Sequence, residues 1–482
     1  MASKVRKIAA GSAQRWALSL ASVASFMVVL DGLVVATALT TIQHHLGASI
    51  SQLEWTVNAY TLTFAVLLMT ASALGDRFGR RRLFATGLGL FAAASAACAL
   101  APSAGWLIAA RAVQGAGAAM IMPLALALLN AAVPPQRRGR AMGIFGGVTG
   151  LAAVVGPVLG GAITQGIAWQ WVFWLNVPIG LLAIPLVLRR LEESRGPRSA
   201  LDIPGLVLGA GAALGVVWGL IRGNSAGWGS PEVVAALVAG AALAVAFARW
   251  ERRAPAPMLP VRLFGSRAFS AGNAAIFFLN ASLTGAVFFM AQFQQVTLGQ
   301  GPLDAGLRLL PWGIAPFLIA PRAGALADRL GTRPLIVTGL LLQTAGLVWI
   351  AFIAGPGMAY APMIAPMAIS GAGFGMAIPA VTKSVVSSVA GGDIGRASGA
   401  FSTMRQLGGA FGVTILAAVF AAAGSYASAA AFSAGFAPAI GVAAGLSLAG
   451  ALAGLTLPGR RAAALSNRQS PERTSVSSSS TT

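Results

Sequence analysis

The sequence contains very little charge for its length, and this absence decides the class of protein. Of the 482 residues, 9% are charged and 57% are hydrophobic. A soluble domain usually carries about 25% charged residues, so this chain lacks the polar side chains needed to cover a globule in water. We therefore expect a polytopic membrane protein whose main partner is the lipid bilayer.

Other absences exclude several functional sites. The only cysteine, Cys98, excludes an intramolecular disulfide and a cysteine-rich metal site. His44 and His45 have no evident third ligand, so we expect no metal site. No GxxxxGK[ST] phosphate-binding motif is present, and an ion gradient must then supply any energy. We expect no cofactor and no enzymatic activity.

The net charge of +21 resembles that of a nucleic-acid-binding protein, but its distribution excludes this interpretation. The basic residues lie in short loops between apolar runs. If the N-terminus is cytoplasmic, 29 of the 33 lysines and arginines lie on the cytoplasmic side, and Arg222 alone lies in an outside loop. By the positive-inside rule, this predicts a bacterial inner-membrane protein with both termini in the cytoplasm and no nucleic-acid partner.

Fourteen apolar runs are long enough to cross a membrane, since a helix needs about 20 residues to span roughly 30 Å of hydrocarbon. The sequence therefore predicts an all-α membrane protein with fourteen transmembrane helices. The predicted spans, numbered one to fourteen, are 16–40, 54–75, 83–101, 105–131, 140–163, 171–188, 203–221, 232–249, 269–293, 304–322, 334–354, 360–384, 396–421 and 435–456.

An internal repeat divides the chain into two halves. The segment 72–88, SALGDRFGRRRLFATGL, aligns with 324–340, GALADRLGTRPLIVTGL. Gly115 likewise aligns with Gly371 at nearly the same offset. Spans two to five thus correspond to spans ten to thirteen, which leaves spans seven and eight as an insertion between two six-helix halves.

This arrangement predicts the major facilitator fold, two six-helix bundles plus two inserted helices, with the substrate site between the halves near the midplane. The predicted units are a cytoplasmic N-terminus (1–15), an N-terminal bundle (16–188), a linker with two extra helices (189–268), a C-terminal bundle (269–457) and a disordered cytoplasmic tail (458–482).

Two charged residues deep in spans distinguish the halves. Asp31 lies midway along span one, and no acid lies in the matching span nine. Arg111 lies in span four, where the second half has Met367. A charge at bilayer depth costs a few kcal/mol, so we predict that this pair couples protons to transport. The alternative is an ion pair that only locks helices together. Three other acids lie at span ends, where interface or capping roles are expected: Glu54, Asp202 and Asp304.

Several strings resemble the fourteen-helix drug:proton antiporter family of the major facilitator superfamily. They are LGDRFGRRR after span two, LIAARAVQGAGAA (107–119) in span four, GPVLGG (156–161) in span five, LDGLVVATAL (30–39) in span one and WVFWLNVPIG (171–180) in span six. The sequence departs from the family pattern at Leu33, Ala36, Thr40 and Ser72.

The resemblance implies roles for two groups of residues. A cytoplasmic gate is expected at Asp76, Arg77, Gly79, Arg80 and Arg81, with second-half counterparts Asp328, Arg329 and Gly331. An antiporter motif that lets span five bend and pack closely is expected at Gly156, Pro157, Gly160 and Gly161. The alternative for the second group is close packing alone.

The resemblance also bears on the cargo, because family members that export divalent cations carry acids in their late helices, whereas spans eleven to fourteen here contain none. The cargo is therefore expected to be small, amphipathic, and neutral or singly charged. Candidate cavity residues are Asn58, Tyr60, Gln114, Asn280, Phe288, Gln292, Trp312 and Arg405. We predict a monomeric, proton-driven exporter of hydrophobic drugs or natural-product antibiotics. The alternatives are an exporter of an endogenous metabolite such as a siderophore or amino acid, a proton-coupled importer, and a membrane sensor or scaffold.

Overall fold

The computed structural model describes residues 2–195, 201–255, 257, 259, 261–389 and 393–458. The side chains of residues 2–13, 135–140, 142, 143, 153, 154, 224, 225, 328, 394 and 395 lie outside that description. The predicted tail beyond Pro458 and the side chain of the predicted gate residue Asp328 therefore lie outside the described residues.

Fourteen helices in the described chain are long and apolar enough to cross a membrane, which confirms the predicted all-α, fourteen-helix fold. The helices of spans one to seven are Ala2–Leu46, Ile50–Phe78, Arg80–Ala99, Ala104–Ala132, Pro135–Gly166, Trp171–Trp174 with Asn176–Arg190, and Ile203–Ala226. Those of spans eight to fourteen are Pro231–Glu251, Arg267–Gln292, Pro302–Arg308 with Leu310–Leu330, Thr332–Ile353, Ala361–Ser387, Ile394–Ala423 and Ala429–Leu455.

Many helices extend beyond the predicted apolar runs, because capping residues outside the runs set their ends. Ser49 begins span two with a capping box, in which its hydroxyl accepts from the Gln52 amide at 3.3 Å. The Ser230 and Ser428 hydroxyls also accept a backbone N–H at the starts of spans eight and fourteen. Such polar caps satisfy free backbone N–H groups but contribute nothing to a hydropathy window, so the sequence placed these ends too far inside.

The two halves repeat the same helix contacts. Spans one and five, two and four, and three and four pack together, as do spans nine and thirteen, ten and twelve, and eleven and twelve. Even the close approaches repeat: a Cβ added to Gly115 would lie 2.4 Å from the Tyr60 carbonyl oxygen, and one added to Gly371 would lie 2.4 Å from that of Trp312. These pairs have the offsets of the sequence repeat.

The halves meet along two seams, between spans two and thirteen and between spans five and ten. At the end where span one terminates, one apolar core joins both halves, and Phe293 stacks on Phe436 there with ring centroids 4.3 Å apart. At the end where span one begins, each half has its own core, represented by Phe84 in the first and Phe269 in the second. The apolar core that the halves share thus lies at the end where span one terminates.

The inserted spans seven and eight pack on each other and lie beside one seam. A Cβ added to Gly240 would lie 2.8 Å from the Val216 amide nitrogen, so the two helices touch backbone to backbone. Span seven contacts spans two and thirteen. The most apolar window of span eight is only 11% buried, as expected for a helix that faces lipid.

Candidate functional site

A buried ion pair lies in the middle of the first half. Arg111 on span four donates from Nη1 to Asp31 Oδ2 on span one at 2.5 Å. Each residue is only 1% exposed. Removing two charges from water is costly, and the pair is tolerated only when hydrogen bonds satisfy the remaining polar atoms.

Neighbouring helices provide those hydrogen bonds. Gln114 Nε2 donates to Asp31 Oδ1 at 2.8 Å, and Asn176 Nδ2 donates to the same oxygen at 2.7 Å. Arg111 donates from Nε to the Thr56 carbonyl at 3.1 Å and from Nη1 to Gln114 Oε1 at 2.6 Å. The Asp31 carboxylate is therefore held by donors from spans four and six, and Arg111 is anchored to span two.

Aromatic rings complete the environment of the guanidinium. The Arg111 Cζ atom lies 4.1 Å from the centroid of the Tyr60 ring and 5.8 Å from that of Phe173. A desolvated cation over an aromatic face gains about 2 kcal/mol. The Tyr60 hydroxyl donates to the Val28 carbonyl at 3.1 Å, which fixes the ring on span one.

The antiporter-motif glycines let span five touch two other helices at backbone distance. A Cβ added to Gly160 would lie 2.6 Å from the Val34 carbonyl oxygen on span one, and one added to Gly161 would lie 2.2 Å from that of Pro302 on span ten. Gly306 on span ten makes the reciprocal close approach, since a Cβ added to it would lie 2.2 Å from the Pro157 carbonyl oxygen. The motif thus packs against span one and against the opposite half.

The predicted gate loop connects spans two, three and six. Arg80 Nε donates to Asp76 Oδ1 at 2.8 Å, and Arg81 Nη1 donates to the Leu191 carbonyl at 3.1 Å. Gly79 has a φ of +112°, and its counterpart Gly331 has a φ of +89°, a backbone conformation that favours glycine. In the part of the chain that the structure describes, Asp76, Arg80 and Arg81 bond to one another, to the end of span six and to the segment directly after it.

Glu193, after span six, holds this loop from the other side. Its Oε1 accepts from the Arg81 backbone N–H at 2.9 Å, and Oε2 accepts from that of Arg82 at 3.3 Å. The carboxylate therefore lies at the N-terminus of span three, where free N–H groups and the helix dipole favour a negative charge. Arg77 lies over the Phe78 ring at 5.3 Å, and Arg329 is exposed.

Of the predicted cavity residues, the structure brings only Tyr60 and Gln114 to the Asp31 network. Asn58 Nδ2 donates across the seam to Thr414 Oγ1 at 2.8 Å, and Asn280 Nδ2 donates to the Arg405 carbonyl at 2.7 Å. Gln292 accepts a hydrogen bond from the Tyr426 hydroxyl. The buried Phe288 and Trp312 belong to the core shared by the halves.

Sequence reasoning missed several members of the site. Asn176 lies within the family-like string 171–180, so the sequence did point to the segment that contains it. Glu193 could have been noticed as an acid in a strongly basic segment. Ser95, whose Oγ lies 2.8 Å from Gln114 Nε2, and the carbonyl of Thr56 carry no sequence signal, because only the packing of spans two, three and four brings them to the network.

Two equivalent helical halves, joined at one end and with a buried ion pair in the first, define a membrane transporter. The chain belongs to the Major Facilitator Superfamily, whose family model matches residues 21–413. A POT family transporter, solved in complex with a thioalcohol-conjugated peptide, shares this fold, with a TM-score of 0.68, 14% identity, and coverage of 92% of this chain and 94% of that one.

Two relatives from Streptomyces are similar over most of their length. The tetracenomycin C resistance and export protein of Streptomyces glaucescens is 34% identical over 404 residues, which are 83% of this chain and 75% of that protein. The puromycin resistance protein pur8 of Streptomyces alboniger is 36% identical over 417 residues, or 85% of this chain and 82% of that one.

Proposed function

We propose that this chain is a proton-driven antiporter that exports hydrophobic drugs or natural-product antibiotics across the bacterial inner membrane, as a monomer with both termini in the cytoplasm. The observation that carries the proton-coupling proposal is the Asp31 carboxylate, buried at bilayer depth and held by Arg111, Gln114 and Asn176 on other helices. The stability of this negative charge depends on where the helices that carry those three partners lie relative to span one.

The coupling mechanism follows from that dependence. A buried carboxylate keeps its charge while Arg111 lies beside it, and moving span one relative to span four favours binding of a proton instead. Protonated Asp31 then favours one orientation of the two halves, and substrate favours the deprotonated one. Proton release and substrate release thereby occur on opposite sides of the membrane.

One proton per cycle provides enough energy for resistance. Movement of one charge through 100 mV supplies about 2.3 kcal/mol. Since about 1.4 kcal/mol corresponds to a tenfold gradient, one coupling acid sustains roughly a 40-fold gradient of a neutral substrate. A second coupling acid is not required.

The cargo proposal rests on the relatives and on unsatisfied polar atoms. The named relatives confer resistance to tetracenomycin C and to puromycin. Asn58 Oδ1 and Trp312 Nε1 are buried and have no hydrogen-bond partner among the described residues, so a compound that reached them between the halves would meet one acceptor and one donor. A neutral or singly charged amphipathic molecule fits these groups.

A second candidate is the export of a compound that the organism itself makes. It is favoured by the name of the Streptomyces glaucescens relative, which combines resistance with export. The position of the gene separates the two functions: a location within a biosynthetic gene cluster favours an endogenous product.

Exchange of Asp31 tests the coupling. In vesicles with an imposed pH gradient, the wild-type protein should accumulate a substrate dye, Asp31→Asn should lose this accumulation while still exchanging dye passively, and Asp31→Glu should retain part of it. Asp304→Asn, which changes an exposed acid in the first turn of span ten, is the matched control and should pump normally. Wild-type pumping by Asp31→Asn contradicts the proposed site.

A further inference from the structure

A large cleft opens beside the inserted helices, away from the Asp31 network. Its volume is about 1430 Å³, and it lies where span one ends, between the first turns of span two, the end of span seven and the loop after span thirteen. Its lining includes Glu54, Trp55, Trp218, Arg222, Glu232 and Tyr426. Drug-sized ligands occupy clefts of roughly 300–1,000 Å³, so this one has sufficient room.

Glu54 is the unusual residue in this lining. It is only 4% exposed, and its carboxylate has no hydrogen bond or ion pair with the part of the chain that the structure describes. The sequence suggested an interface or capping role, and Glu54 does not cap span two, because Ser49 and Gln52 form its capping box. A buried carboxylate without a partner is costly, and a positively charged ligand would remove that cost.

Two tryptophans form an aromatic wall close to this acid. Trp55 and Trp218 have ring centroids 5.8 Å apart. Trp218 is held by its indole N–H, which donates to Glu232 Oε1 at 3.1 Å. Glu232 in turn pairs with Arg222 at 3.1 Å, so the charge of Arg222 is already balanced by another acid and does not neutralise Glu54.

Tyr426 closes the cleft on the side of the second half. Its hydroxyl donates to Gln292, and burial, followed by the nearby Glu54 carboxylate, raises the pKa of Tyr426. The phenol therefore stays neutral and adds no second negative charge beside Glu54. The cleft combines one unpaired buried acid with aromatic faces, the arrangement that recognises organic cations.

We propose that this cleft binds a small aromatic monocation, with Glu54 as the counter-ion and Trp55 and Trp218 as stacking faces. The inserted spans then have a binding role, because span seven supplies Trp218 and span eight supplies the glutamate that positions it. This proposal concerns binding only, and it holds whether or not the bound cation is exported by way of Asp31.

The test uses two probes of equal shape and opposite charge, tetraphenylphosphonium and tetraphenylborate, with the purified full-length protein in nanodiscs of phosphatidylcholine. Wild-type protein should prefer the cation at least tenfold. Glu54→Gln should lose at least tenfold in cation affinity, and Glu54→Asp should recover part of it. Glu192→Gln, the matched control, changes an exposed acid that does not line the cleft and should change affinity by less than threefold.

Three further arms locate the site and identify its occupant. Trp218→Phe should reduce the quenching of tryptophan fluorescence by the bound cation. The Glu54→Gln loss should persist in an Asp31→Asn background, which separates the cleft from the buried network. Adding phosphatidylethanolamine should not displace the probe. Unchanged cation affinity in monodisperse Glu54→Gln protein overturns the proposal, as does displacement by that lipid.

Discussion

At the residue scale, the Asp31–Arg111 pair is a source of both stability and vulnerability. Removing one partner of a buried ion pair typically costs about 3–5 kcal/mol, whereas replacing both with uncharged groups is often tolerated. Met367, at the position of Arg111 in the second half, is fully buried. The same helix contacts are therefore built there without the charge.

This asymmetry predicts a specific pattern of stabilities. Arg111→Met should lower the apparent Tm in detergent and abolish pH-driven transport, because Asp31 loses its positive partner. The double variant Asp31→Asn with Arg111→Met should be more stable than Arg111→Met alone, although it should not pump. Fluorescence-detected thermal unfolding of the wild type, Asp31→Asn, Arg111→Met and the double variant measures the coupling energy between the two side chains. Additive losses would show that the two side chains do not interact energetically.

A second residue-scale prediction concerns the glycines of span five. Gly161→Ala places a Cβ 2.2 Å from the Pro302 carbonyl oxygen, and such overpacking costs about 1–3 kcal/mol. It should destabilise the contact between spans five and ten and reduce transport. Gly150→Ala, on the same helix with nothing within 4 Å of the added Cβ, is the control and should be neutral or slightly stabilising. Equal behaviour of both variants in thermal unfolding contradicts this account.

At the element scale, the loop after span two is held by the end of span six. The Glu193 carboxylate accepts two backbone N–H groups at the start of span three, a capping contact worth about 1 kcal/mol. The loop therefore acts as a joint between helices, and the hydrogen bonds that the structure describes for it do not reach the Asp31 network.

We expect Glu193→Ala and Asp76→Asn to slow transport strongly while substrate affinity in detergent stays within a few-fold of wild type. The reason is that both carboxylates position the loop that we propose controls exchange between orientations. Glu192→Ala removes an exposed neighbouring acid and provides the matched control. Transport rates in vesicles, compared with equilibrium binding, separate the two effects, and a large loss of affinity with normal exchange rates would place these residues elsewhere in the mechanism.

At the scale of the whole molecule, the proposed function predicts a resistance phenotype. Expression in a susceptible strain that lacks its own pumps should raise tolerance to several hydrophobic antibiotics, and a protonophore should stop dye efflux by collapsing the gradient. Dications should be poor substrates, because spans eleven to fourteen contain no acid. The Asp31→Asn protein, inserted at the same level, is the control, and unchanged tolerance across a broad panel would exclude drug export.

Much of the fold could be predicted because membrane constraints are local. Each span must be apolar over its own length, so fourteen spans and their repeat are readable one segment at a time. The helix ends were less accurate, as at Ser49 and Ser428, because caps are polar. The split of span six between Trp174 and Asn176, and the π-helix from Phe293 to Thr297, were not predicted, since both follow from packing and not from hydropathy.

The candidate site, like the fold, was predictable only in part from the sequence. Composition, span count, charge bias and the two charged residues at bilayer depth were determined by the sequence alone, because each depends on a single segment and its transfer from water. Only the tertiary structure decided which donors hold Asp31, that Glu193 caps span three, and that Glu54 lies buried and unpaired in a cleft beside the inserted helices. Those facts depend on distances between segments remote in sequence, and no local pattern encodes such distances.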